Sequence, residues 1–193
     1  MSPGLRATIT HITDRRLLLF TVSAAILGGV LVSVPGAVGV PGISEPVDVL
    51  YFVPLVVGTL MSCALPERLN WLTGPRSSRS RAVRLGTTLT ADVIVGVACA
   101  SASGAFGYGE MELVWPAVAL VVGVGLLSAS ILGTYAWMVA AAFGSVMVVP
   151  TGGPGASPIA VSVPAGAGIA VVAAGIAVYA WCGFERRSGT WDG

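Results

Sequence analysis

The chain contains no lysine at all. No P-loop lysine, Schiff-base lysine or lysine general base can therefore be built from it. Charge of either sign is scarce, at 10% of 193 residues, where a soluble domain carries about 25%. So few charges cannot cover a water-facing surface, and lipid is the expected solvent for most of the chain. Histidine occurs once, as His11, and cysteine three times, as Cys63, Cys99 and Cys182, in apolar stretches far apart. These numbers argue against a disulfide framework and against a metal site, and the cysteines read as small buried packing residues. Walker A, HExxH and CxxC patterns are all missing, so no catalytic residue, metal ligand or cofactor is assigned. A net charge of +1 argues against nucleic acid as a partner.

What is abundant is apolar: 55% of the residues are hydrophobic and the mean hydropathy is +0.88. A helix needs roughly 20 apolar residues to cross the hydrocarbon. Candidate spans lie at 17–34, 48–65, 87–106, 113–132, 135–149 and 160–182. No charge occurs from 113 to 149. One helix over that stretch would run about 55 Å, so it must fold back, with Gly133-Thr134-Tyr135 as the turn. Pro35-Gly36 ends the first span, and Pro164 falls in the first turns of the last. The basic start of the chain is not followed by a small-residue cleavage site, so the first span is expected to be retained. The expected fold is an all-α integral membrane protein with six transmembrane helices, forming a single membrane domain over 1–193.

The arginines orient it. Arg6, Arg15 and Arg16 precede span one, Arg68, Arg76, Arg79, Arg81 and Arg84 lie between spans two and three, and Arg186 and Arg187 follow span six. Six spans put all of them on one side, with only Glu45, Asp48, Glu110 and Glu112 on the other. The positive-inside rule then places both termini and the 66–86 loop in the cytoplasm. A bias towards Ala, Gly, Val and Arg suggests a GC-rich bacterial genome, hence a bacterial plasma membrane.

Small residues recur every four positions, which keeps them on one helix face where backbones can approach. The sets are Gly58 and Ser62 after Pro54; Gly96, Ala100 and Gly104; Gly125, Ala129 and Gly133; and Gly166, Ala170 and Ala174. They are expected to mark helix contacts within the chain or between copies, although Gly and Ala are common enough to form such stripes by chance. Asp92 is the one charged residue in the interior of a span. It lies about 12 Å along a helix from Arg84 and shares a face with Gly96 and Ala100. Two readings stand open: a structural pairing with Arg15, Arg16 or a loop arginine, or a functional intramembrane carboxylate.

Half of the arginines sit in the 66–86 loop. They suffice to hold topology and to bind anionic lipid headgroups. Topology does not require the front end of that loop, PERLNWLT. Pro66 suits a first helical turn and Glu67 the positive end of a helix dipole, so 66–73 is expected to form a short amphipathic helix. Glu67, Arg68, Leu69, Trp71 and Leu72 are its partner-coupling candidates. In 2–16, Leu5, Ile9 and Ile12 fall on one face, as an interfacial helix requires.

In layout, over its whole length, the chain resembles the membrane subunit of an ABC-2-type exporter. The matching features are the amphipathic start (Ser2–Arg16), six spans, a cytoplasmic coupling helix between spans two and three (Pro66–Thr73), and a re-entrant element near Met147–Val163. The chain is shorter than that family, and its outer loops are small. The resemblance implies an export path for a hydrophobic peptide, lipid-like or drug-like substrate, a homo- or heterodimer in the lipid bilayer, and a separate cytoplasmic ATP-binding subunit. Two alternatives remain. One is a non-transporting accessory or scaffold protein whose arginine loop binds a partner or anionic lipid, with Ser77, Ser78 or Ser80 open to phosphorylation. The other is an intramembrane enzyme using Asp92 or the outer carboxylates.

Overall fold

The computed structural model describes residues 15–34, 36–41, 43, 46–64, 78–106, 111–132, 135–150 and 158–182. The described chain is mostly helical. Six helices occur in order: α1 (Arg15–Ser33), α2 (Val53–Ala64), α3 (Ser78–Phe106), α4 (Met111–Leu132), α5 (Ala136–Val148) and α6 (Ala165–Cys182). Between α1 and α2 runs a small antiparallel ribbon, β1 (Ala37–Val38) and β2 (Val47–Asp48), with Ala37 opposite Asp48 and Val38 opposite Val47.

Each apolar run contains one helix; α2, α5 and α6 are shorter than their runs, whereas α1, α3 and α4 begin before theirs. By length and composition, Glu112–Leu132 is the one helix among the described residues long and apolar enough to cross a membrane. The other apolar stretches are Leu17–Ser33, Val49–Ala64, Leu89–Ala105, Ala136–Val148 and Ala165–Tyr179. Six full-length spans are therefore not supported by helix length, and local causes account for the shortening. In the run 48–65, Asp48 Oδ1 accepts a 2.9 Å hydrogen bond from the Leu50 amide. That cap starts a 3-10 turn over Val49–Phe52 before the α-helix begins. Pro54 then falls in the first turn of α2, where a missing amide hydrogen costs nothing. In the run 160–182, a 3-10 turn over Ile159–Ser162 comes first, and Pro164 stands before α6 rather than inside it. In the other direction, α3 reaches back to Ser78. The backbone at Arg79, Arg81 and Arg84 is thus helical, and the loop expected to run to 86 is shorter. Likewise Arg15 and Arg16 open α1, ahead of the expected start at 17.

α4 is the hub. It packs on α2, α5 and, most extensively, α6, while α2 joins α1 to α5, and α3 leans chiefly on α1. The main core gathers Val114, Val118, Val122 and Leu126 of α4 with Val53, Val57 and Met61 of α2, Ala24 and Val32 of α1, Ala91, Val95 and Cys99 of α3, and Tyr179 of α6. A second cluster joins Ala117 and Val121 of α4, Ala140 and Met147 of α5, and Ala160 of the following 3-10 turn. The start of this turn is pinned to the residues just after α5: Pro150 bridges to Pro158, and the Ile159 amide donates to the Val149 carbonyl at 3.1 Å. The segment expected near Met147–Val163 is thus, in its described parts, folded onto α4 and α5 as a short hairpin; 151–157 lie outside the described residues.

Side-chain hydroxyls are mostly turned back on their own helices. Thr21, Ser33, Ser62, Thr90, Ser128, Ser130 and Ser145 each donate to the carbonyl four residues earlier, at 2.6–3.2 Å. This satisfies each hydroxyl without water. The outer surface is correspondingly apolar: Leu18, Leu19, Ile26 and Val30 of α1, Val93, Ile94 and Val97 of α3, Met138 of α5 and Ile169 of α6 are all more than half exposed.

Candidate functional site

The coupling candidates Glu67, Arg68, Leu69, Trp71 and Leu72 lie outside the described residues, as does the interfacial segment up to residue 14. The site residues that are described belong to the helix crossings and to Asp92.

The stripe Pro54, Gly58 and Ser62 is buried as expected and forms the α2 face of the α2–α4 crossing. A Cβ on Gly58 would overlap the Val121 side chain, and one on Gly125 would overlap Ser62 Oγ. Gly125 and Ala129 therefore do mark a helix contact, with Ala129 buried one turn below Gly125. Gly96 is also buried, because the indole of Trp115 from α4 lies over it. The rest of that stripe is different. Ala100 is exposed, and a Cβ on Gly104 would meet nothing within 4 Å. α3 packs chiefly on α1, and this part of its surface is left uncovered by the described residues.

The stripe Gly166, Ala170 and Ala174 faces outward as well. α6 instead meets α4 through Gly168 and Gly175, seven apart and therefore on one face after two turns. A Cβ on Gly168 would stand 2.6 Å from the Pro116 carbonyl oxygen, and one on Gly175 would stand 2.8 Å from Leu126 Cβ. On the opposite side, a Cβ on Gly123 would be 2.8 Å from the Val171 and Val172 backbones. These three glycines bring two helix backbones together where no side chain fits. The pattern is visible in the sequence once spacings of seven are considered as well as four. Gly144 does the same for α5, against Leu55 Cα at 2.8 Å, and Gly28 for α1, against Cys99 Sγ at 2.7 Å.

Two buried polar atoms stand out against the self-satisfied hydroxyls. Thr59 Oγ1 and Asp92 Oδ1 are both sealed from the surface without a hydrogen-bond partner. Asp92 is on α3, one turn before Gly96, beside the buried Ala91 and Val95. Thr90, the nearest described hydroxyl along the helix, is committed to the Gly86 carbonyl. The side chains of Arg15, Arg16, Arg79, Arg81 and Arg84 lie outside the described residues. An acceptor-only group without a partner in an apolar core is costly, and its compensation must come from a cation or a proton. Among the described residues, no group of histidine, cysteine and carboxylate side chains could hold a metal ion.

No protein-family description, curated protein or solved structure matches the chain. Its function must be read from its own residues.

Proposed function

We propose that the chain is the membrane-spanning permease subunit of an ATP-driven exporter, with six membrane helices, both termini in the cytoplasm, and ATP hydrolysis supplied by a separate subunit. The observation that carries this reading is the combination of an uncovered apolar exterior with a one-sided distribution of arginine. Large aliphatic side chains face outward on both flanks of the bundle, and the arginines all fall in segments that six crossings bring to one side. Membrane helices range down to about 17 residues, and shorter ones are accommodated by local bilayer thinning at a modest cost. α5 ends at Val148, and beyond it Pro150 bridges to Pro158 while Ala160 packs on α4 and α5, an arrangement that suits a re-entrant position.

The segment PERLNWLT supports coupling to a partner, because an apolar pair of leucines and a tryptophan on a cytoplasmic connection serve no topological purpose. In this reading, Glu67, Arg68, Leu69, Trp71 and Leu72 dock the ATPase. The bundle works as a homo- or heterodimer, and small apolar walls favour a hydrophobic peptide, lipid-like or drug-like cargo. The test is purification of the chain from its native membrane with its bound partners, with and without Trp71→Ala. A nucleotide-binding subunit should accompany the unaltered chain, and Trp71→Ala should lower its recovery by about tenfold, as truncation of a central aromatic anchor does. Recovery of the chain with lipid alone would support the accessory or scaffold role instead.

A further inference from the structure

Asp92 poses a problem that the permease reading leaves unsolved. Its Oδ1 is sealed inside the bundle with no partner, as is Thr59 Oγ1, whereas seven other hydroxyls are turned onto their own helices. A carboxylate kept in an apolar interior is stabilised by a counter-charge, and intramembrane carboxylates generally face one. The apolar stretches of the described helices contain no basic residue.

The surroundings favour a particular kind of counter-charge. Asp92 and Gly96 are one turn apart on the same face of α3, and the Trp115 indole lies across Gly96. An aromatic ring attracts a cation over its face, and does so best when water is excluded. Ala91, Val95 and Cys99, buried next to these positions on α3, present only small or apolar surface. The ring is also placed to move. Trp115 is 38% exposed, and α3 leans on α1 while touching α2 and α6 only lightly. Turning the indole outward would therefore open the face of α3 that carries Gly96 and, one turn away, Asp92.

We infer that Asp92 and Trp115 form a binding site for a hydrophobic organic cation, with the carboxylate as counter-charge and the indole as its cover. This deepens the permease reading by naming a substrate class, a lipophilic amine or onium compound, and it rests on that reading for its meaning. The site itself is a property of the isolated chain.

The experiment is equilibrium binding of tetraphenylphosphonium to the purified full-length chain in detergent, without any ATPase. Tetraphenylborate, similar in shape and opposite in charge, serves as the control. The phosphonium should bind and the borate should not. Asp92→Asn should weaken phosphonium binding by at least about tenfold, Asp92→Glu should restore most of it, and Trp115→Leu should weaken it by about threefold. The variants should keep the wild-type helix content and unfolding temperature. A second measurement needs no variant. Dicyclohexylcarbodiimide should modify Asp92, as located by mass spectrometry, and saturating phosphonium should suppress that modification.

Absence of phosphonium binding, equal binding by Asp92→Asn, or modification of Asp92 that phosphonium does not slow would each overturn the site. Failure to recover an ATPase partner would remove the permease reading and leave phosphonium binding intact. Loss of Asp92-dependent binding alongside a recovered ATPase would do the reverse.

Discussion

The α4–α6 crossing and the α1–α3 pair are built on opposite terms. Where α4 meets α6, glycine faces backbone: Gly123 lies on the Val171–Val172 peptide and Gly168 on the Pro116 carbonyl. Where α3 meets the rest of the bundle, glycine faces side chains, the Trp115 indole at Gly96 and Cys99 Sγ opposite Gly28, and farther along, at Gly104, it faces nothing. Backbone cannot rotate out of the way and side chains can. The first region is therefore a rigid seam, and the second is a contact that can open and close. This contrast assigns the fixed part of the bundle to α4 and α6 and the adjustable part to α3.

Substitutions at the glycines should separate the two regimes. Gly123→Val places branched carbon against the α6 backbone, and about 3 kcal/mol of bundle stability should be lost, the upper range for overpacking. Chemical unfolding in mixed micelles, followed by far-ultraviolet circular dichroism, measures this. A loss below about 1 kcal/mol would mean that α6 can step back, and the rigid seam would have to be abandoned. Gly28→Ala meets Cys99 Sγ at 2.7 Å and Val57 Cγ2 at 2.9 Å, both side-chain atoms, so an intermediate loss of about 1–2 kcal/mol is expected by the same measurement. Gly104→Ala should change stability by no more than about 0.5 kcal/mol in the monomer. If Gly104→Ala instead shifts the oligomeric distribution seen by light scattering, the open face of α3 is a contact between copies.

The sequence locates these helices better than it locates their contacts. Long apolar runs bounded by Pro35-Gly36, Pro66 and Gly133 place six helices where six occur among the described residues. What the runs do not show is how much of each is α-helical. Asp48 directly before an apolar run is a cap signal, and it starts a 3-10 turn four residues long where a helix is expected. Ser78 to Arg84 look like loop because they are polar, yet they extend α3. Packing faces are harder still. Gly and Ala are so frequent here that a spacing of four can be found on almost any face. Gly58 and Gly125 face another helix of this chain and Ala129 is buried beside them, while Ala100, Gly104 and Gly166 are left uncovered by the described residues, because the neighbouring helix decides which face is buried. Gly96 owes its burial to a tryptophan on another helix, which no local pattern can reveal. Asp92 is different again: its isolation in an apolar run is legible from composition alone, whereas its missing partner requires the surrounding helices to be in place.

The back-bonded hydroxyls have a consequence for how the bundle is made. Thr21, Ser33, Ser62, Ser128, Ser130 and Ser145 are each satisfied by a carbonyl of their own helix. These hydroxyls need no neighbour, so in the membrane reading proposed above their helices would leave the translocation machinery for lipid singly, as they are synthesised, with those polar groups already quenched. Assembly then becomes a search among finished rods, decided by where glycine permits two of them to touch.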